Sequence, residues 1–186
     1  MKRIFILVFA SLVAFHGCKC SNNAPAEPAA QEDTPQAAID RYMTEVGAQY
    51  SAGTYCIPYA VVVATDDSNP EDIRVWGDFR VENYNQSGDT LQCVSGGSHP
   101  GLMHVAKTAD GYQVTSFDEV EDGSLFDATA RAIFLERYDA FMEAFSNDSA
   151  KQSAREQAIG AYVSAQGIPA KLYKDYGWDA REIPLP

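Results

Sequence analysis

Between Tyr55 and Phe117 the chain carries a series of strand-forming segments joined by connections too short to cross over, and nothing else in the sequence constrains the fold as tightly. Tyr55 to Thr65 contains the β-branched run Val61-Val62-Val63, and Ile73 to Tyr84 alternates Ile73, Val75, Gly77, Phe79 and Val81. Asn85 to Asp89 is a turn cluster, and Thr90 to Ser95 follows it. Gly101 to Thr108 and Tyr112 to Phe117 meet around Asp110-Gly111, a strong hairpin signal. Parallel neighbours need a crossover of roughly a dozen residues or more, so these five strands are expected to form an antiparallel meander.

Helical patterns flank the strands. Thr34-Pro35 is a start signal, and Ala38, Ile39, Tyr42, Met43 and Val46 form one apolar stripe behind it. After the strands, Ser124 with Asp127 reads as a capping box opening a long helix striped by Phe126, Ala130, Ile133, Phe134, Tyr138, Phe141, Met142 and Phe145. Ser149 with Gln152 reads as a second box, with Ala154, Ala158, Ala161, Tyr162 and Ala165 on one face and Gly167 as the stop. A short final element holds Leu172, Tyr173, Tyr176 and Trp178, aromatic residues expected to pack in the core. The fold class is therefore α+β: one helix, a sheet of about five strands, then two helices and a terminal element, in two layers.

The N-terminus carries an address. Lys2 and Arg3 precede an apolar run from Ile4 to Phe15, too short to span a hydrocarbon core of about 30 Å, which fits an export signal. The ending Phe15-His16-Gly17-Cys18 resembles the lipobox of bacterial lipoproteins. That resemblance implies cleavage after Gly17, lipidation of Cys18 and membrane lipid as a partner. Lys19 stands where some members of that family carry the aspartate that retains them at the inner membrane. The outer membrane or cell surface is therefore the expected location. Ser21 to Gln36, rich in Pro, Ala and polar residues, cannot bury enough to order itself and reads as a tether. The expected organisation is a signal peptide over 1–17, lipidated cysteine and tether over 18–36, and one globular domain over 37–186.

With 26 acidic against 14 basic side chains and a formal charge of −12, the chain repels phosphate backbones, which excludes nucleic acid as a partner. Within the domain, the best ligand-approach segment is Ser95 to Gly101, read as a loop. Gly96 and Gly97 permit close backbone approach, with Ser98 and His99 as polar neighbours. The bland alternative is a wide β-connection that needs glycine for its backbone. Ser98-His99 is not a serine-hydrolase signature, because no Gly-x-Ser-x-Gly elbow surrounds it. His99 and His104 are the two histidines of the domain; no zinc-type spacing accompanies them, so no metal or cofactor is expected. Cys56 and Cys93 are either buried thiols or, after export, a disulfide across the sheet. The acidic turns Asp66–Asp72 and Asp118–Asp122 do not match a calcium loop and read as solvated.

The element order over about residues 37–145 resembles the cystatin and NTF2-like families, in which a curved sheet wraps a helix. The cystatin inhibitory pattern is not met by Gln113-Val114-Thr115-Ser116-Phe117. The function expected is that of a membrane-anchored module binding an unidentified protein or small solute. The competing class, an enzyme acting on envelope or extracellular material, lacks a recognisable catalytic set and is the less favoured of the two.

Overall fold

The computed structural model describes residues 33–186. The signal segment, Cys18 and the tether up to residue 32 lie outside the described residues. The carboxylate of Asp33, the first described residue, accepts from Tyr112 N at 3.0 Å. Helix α1 spans Pro35–Gly47, so it starts two residues before the boundary drawn from composition. Thr34 caps it, its Oγ1 accepting from Ala37 N at 3.1 Å, and Pro35 sits where the missing N–H costs nothing.

Four long strands follow: β1 (Tyr55–Asp66), β2 (Ile73–Ser87), β3 (Thr90–Thr108) and β4 (Gly111–Glu119), each antiparallel to the one before. The expected meander is present, with one correction. Thr90–Ser95 and Gly101–Thr108 are two ends of a single 19-residue strand. The glycine-rich segment between them is strand, held to β2 through pairs such as Gly97 with Val81 and His99 with Phe79.

Short strands β5 (Leu172–Lys174) and β6 (Arg181–Glu182) complete the sheet in the order β1-β2-β3-β5-β6, with β4 also on β3. Because β5 runs parallel to β3, the sheet is mixed, not purely antiparallel. The helices between β4 and β5 supply the crossover that a meander of short connections lacks.

The long helix expected from Ser124 is broken. α2 (Phe126–Phe134) and α3 (Tyr138–Ser146) are separated at Leu135, whose φ of 50° a right-handed α-helix cannot hold. Ser124 makes no capping hydrogen bond. The apolar stripe nevertheless packs as read: Ala130, Phe134 and Phe141 are buried, and the rings of Phe134 and Phe141 stack at 3.9 Å. Helix α4 (Asp148–Gln166) is capped by Asn147, not Ser149, and ends at Gly167 in the left-handed conformation. It turns Arg155, Ile159, Gly160 and Val163 inward; Ala161 and Ala165, read from the sequence as sharing one face with Ala154, Ala158 and Tyr162, face solvent.

The helices do not share one face. α1 packs on the side of β2 that carries Ile73, Val75, Phe79 and Val81. α2 and α3 cover one end of the opposite face over Trp76 and Leu102, and α4 covers the other end over Tyr84 and Leu91. The arrangement is three-layered, which explains why β2 is buried at nearly every position from Ile73 to Tyr84.

Candidate functional site

Period-two alternation places Asp78, Arg80 and Glu82 on the same side of β2, opposite α1. Ends of that face are filled with apolar side chains, so these three charges occupy the middle, between the α2–α3 cluster and α4. Asp78 is 1% exposed. Its carboxylate accepts from Arg80 Nη1 at 2.8 Å and from Ser98 Oγ at 2.6 Å. Arg80 Nε donates to Tyr59 Oη at 3.2 Å, and Tyr59 Oη donates to Glu82 Oε1 at 2.9 Å.

Glu82 Oε2 also accepts from the Tyr84 hydroxyl and lies 2.7 Å from Arg155 Nε. Arg155 reaches in from α4, 8% exposed, and grips Asp175 with both terminal nitrogens at 2.8 and 2.5 Å. The network is continuous and every buried polar side chain among the described residues has a partner, which is the condition for such a cluster to be tolerated.

A cleft of about 360 Å³ opens beside it, lined by Arg80, Glu82, Cys93, the Val94–Ser98 stretch, Asp175 and Tyr176. Tyr176 and Trp178 are 96% and 75% exposed, so these aromatic residues lie outside the core where the sequence reading placed them. Tyr173 from the same segment is buried as expected.

The electrostatics fix protonation states. Burial, then the Glu82 carboxylate, pushes the hydroxyls of Tyr59 and Tyr84 up, so both remain proton donors. Burial alone would lower the Arg155 pKa. The hydrogen bond to Asp175 and the neighbouring Tyr84 and Glu82 hold it above its ordinary value, and Asp175 is correspondingly held below its own. The Cys93 thiol is pushed up to about 12, by burial first and Glu82 next. It is not a nucleophile at neutral pH.

The glycine segment does line the cleft, but as strand. Gly96 and Gly97 are required by close approach, not by positive φ. A Cβ on Gly96 would meet Val81 O at 2.6 Å, and one on Gly97 would lie 2.8 Å from Tyr50 Cζ and 2.9 Å from His99 Nε2. Of the other residues singled out there, Ser98 joins the network and His99 points to the α1 face. His99 bonds Tyr50 Oη at 2.9 Å through Nε2 and Glu119 Oε1 at 2.6 Å through Nδ1. His104 is on the cleft face but six residues further along β3, bonded to Asp72 at 2.6 Å and 3.7 Å from Asp118. The two histidines do not meet, and no three metal-ligating side chains converge among the described residues.

Cys56 and Cys93 are free thiols. Cys56 pairs with Asn83 and packs under α1, whereas Cys93 pairs with Tyr84 and faces the cleft. With β2 between them and opposite faces of the sheet to reach, the disulfide left open by the sequence is not formed.

Sequence reasoning missed Asp78, Arg80, Glu82, Arg155 and Asp175. The i, i+2, i+4 charges of β2 were the available signal, three residues of alternating sign on one face of a strand whose other face carries Ile73, Val75, Phe79 and Val81.

No family model, curated protein or solved structure matches the chain. Among the described residues no helix is long and apolar enough to cross a membrane.

Proposed function

We propose that the chain is a lipid-anchored protein of the cell envelope, at the outer membrane or cell surface, whose α+β domain binds a partner at the cleft beside β3. The anchoring rests on Lys2-Arg3, the apolar run and Gly17-Cys18. The binding reading rests on one observation above all: charges of both signs are held rigid by one another around an open cleft, which is preorganisation for recognition. Ser98 Oγ is engaged by Asp78 and the Cys93 thiol is held protonated, so neither is poised to attack.

Anchoring is tested by fractionation and by mass spectrometry of the mature N-terminus. Cys18→Ser should leave the membrane fraction or remain uncleaved, and Cys20→Ser should behave as the parent. A mature chain beginning elsewhere than Cys18, without acyl mass, overturns this half of the proposal.

A second reading, an enzyme of the envelope, has one observation in its favour. Tyr50, His99 and Glu119 form a hydroxyl–imidazole–carboxylate chain with the connectivity of a nucleophile, base and orienting group. Burial, then Glu119 and Asp122, raises the Tyr50 pKa, which favours the chain as a staple over Gly97. Turnover on an envelope-substrate panel that disappears in His99→Ala would reverse that preference.

A further inference from the structure

The two edges of β3 are used differently. One edge pairs with β2 from Thr90 to Val105. The other pairs with β5 only over Thr90–Gln92 and with β4 only over Gly101–Thr108. Among the described residues, 93–99 between them have no strand partner on that side. The result is a notch in the sheet, one strand wide and about 23 Å long at about 3.3 Å per residue.

Which groups face the notch follows from strand geometry. Val120 N donates to Pro100 O at 2.8 Å from the β4 side, so Pro100 points its carbonyl away from β2. The N–H and C=O of one strand residue point to the same edge, and successive residues alternate. Ser98 and Gly96 therefore present both backbone groups to the notch, while His99 and Gly97 present theirs to β2. Gly96 is exposed, and Val94, the extra residue of a bulge opposite Asn83 and Tyr84, is 43% exposed. Free edges in folded proteins are usually covered, charged or interrupted by proline. Here Pro100 closes one end and the bulge the other, and the stretch between them is Ser-Gly-Gly-Ser-His.

A strand laid in the notch would send successive side chains to opposite faces of the sheet. A half-exposed carboxylate flanks each side: Asp175 beside the cleft, already held by Arg155, and Glu119 on the α1 face, bonded to His99, each with its remaining acceptor capacity toward solvent. The whole chain carries −12. We infer that the notch takes an extended basic peptide segment of a partner protein, added as a strand to β3 through the backbone of Gly96 and Ser98, with its cationic side chains reaching Asp175 and Glu119. This rests on the binding reading above and names its ligand class.

The test uses the full chain and a fluorescein-labelled heptapeptide, Thr-Val-Thr-Lys-Lys-Val-Thr, followed by fluorescence anisotropy at low salt. Two companion peptides have alternate backbone amides N-methylated, or Glu-Glu in place of Lys-Lys. Ser98→Pro removes one N–H facing the notch and leaves the β2 ladder intact; Ser98→Ala loses the same hydroxyl but keeps that N–H. The parent peptide should bind to the unaltered chain; Ser98→Ala, which loses the same Oγ bond to Asp78 as Ser98→Pro, is the baseline against which Ser98→Pro is read. Binding should weaken about tenfold or more with the N-methylated peptide, with the Glu-Glu peptide and in Ser98→Pro. If Ser98→Pro fails to fold, the N-methylated comparison on the unaltered chain decides alone. Equal binding of parent and N-methylated peptides, or no binding of the parent, overturns the inference. So does a concentration-dependent dimer that Ser98→Pro abolishes and the peptide does not compete, which would assign the edge to a second copy. Membrane release by Cys18→Ser is independent of all these outcomes, so failure here leaves the anchoring result standing.

Discussion

Arg155 makes contact with Glu82, Tyr84 and Asp175 from a position almost closed to water. Removing one member of a buried ion pair leaves the other uncompensated, which outweighs the loss of the contact itself. Arg155→Ala should therefore destabilise the domain by about 3–5 kcal/mol, read as a fall in the urea midpoint. Arg155→Lys should recover little, because an ammonium cannot hold Asp175 bidentately while also donating to Tyr84. The pH dependence has a definite sign. Asp175 is held below its ordinary value of 3.8, chiefly by its hydrogen bond to Arg155, so its contribution is complete above that pH. It is lost as pH falls through the depressed folded value. Asp175→Asn should lower stability at neutral pH and flatten the acid limb of a pH–stability curve; an unchanged limb would show that Asp175 contributes nothing there.

In β3, the glycines and their histidine neighbour do different work. A valine at Gly97 would push into Tyr50 and His99, and moving that staple should cost about 1–3 kcal/mol. His99→Ala removes two hydrogen bonds from a partly exposed site and should cost about 0.5–1.5 kcal/mol. Thermal melts of the two variants check the ranking. A Gly97→Val domain that melts like the parent would mean that Tyr50 swings aside freely. The α2–α3 pair makes a related point about helices. Its apolar stripe is continuous in sequence, yet the chain breaks at Leu135 so that Phe134 and Phe141 can stack face to face over Trp76 and Leu102. Packing against the curved sheet overrides the local preference for one straight helix.

Three apolar clusters cover the two faces of a single sheet, and the last ten residues close one of them. Ile183 is buried with Ile159 and Val163, and its N–H donates to Lys171 O at 2.8 Å. The chain then crosses α4 at Gly160, where a Cβ would be driven into the Pro184 carbonyl. Alanine in a helix interior is favoured over glycine by about 1 kcal/mol, but here the obstacle is backbone, which cannot rotate away. Gly160→Ala should thus lift the C-terminal segment and cost about 1–3 kcal/mol net. Faster carboxypeptidase trimming past Ile183 and loss of amide protection there would show it; a melting temperature above that of the parent would show that propensity had won.

The meander, the first helix with its Thr34 cap, and the Phe126–Phe145 stripe were legible in the sequence because each depends on local pattern: short connections, a capping residue, a helical period. Local pattern marked Gly96 and Gly97 as open to close approach by a ligand; the groups that approach them in the fold are Val81 and Tyr50 of the chain itself. Local pattern could not say that residues 95–101 continue a strand, because glycine and proline weaken any strand signal and only the β2 ladder holds them extended. Nor could it bring Arg155 to Glu82, or Asp175 to Arg155. Those pairings cross 73 and 20 positions of sequence and exist because α4 docks on that face while β5, added in parallel to the edge of β3, leads the chain to Asp175 beside it. The separation of Cys56 from Cys93 was decided by the same tertiary feature, the alternation of side chains across an intervening β2. Patterns of period and punctuation are carried by the residues themselves, whereas which face meets which is settled only by the free energy of packing the whole chain at once.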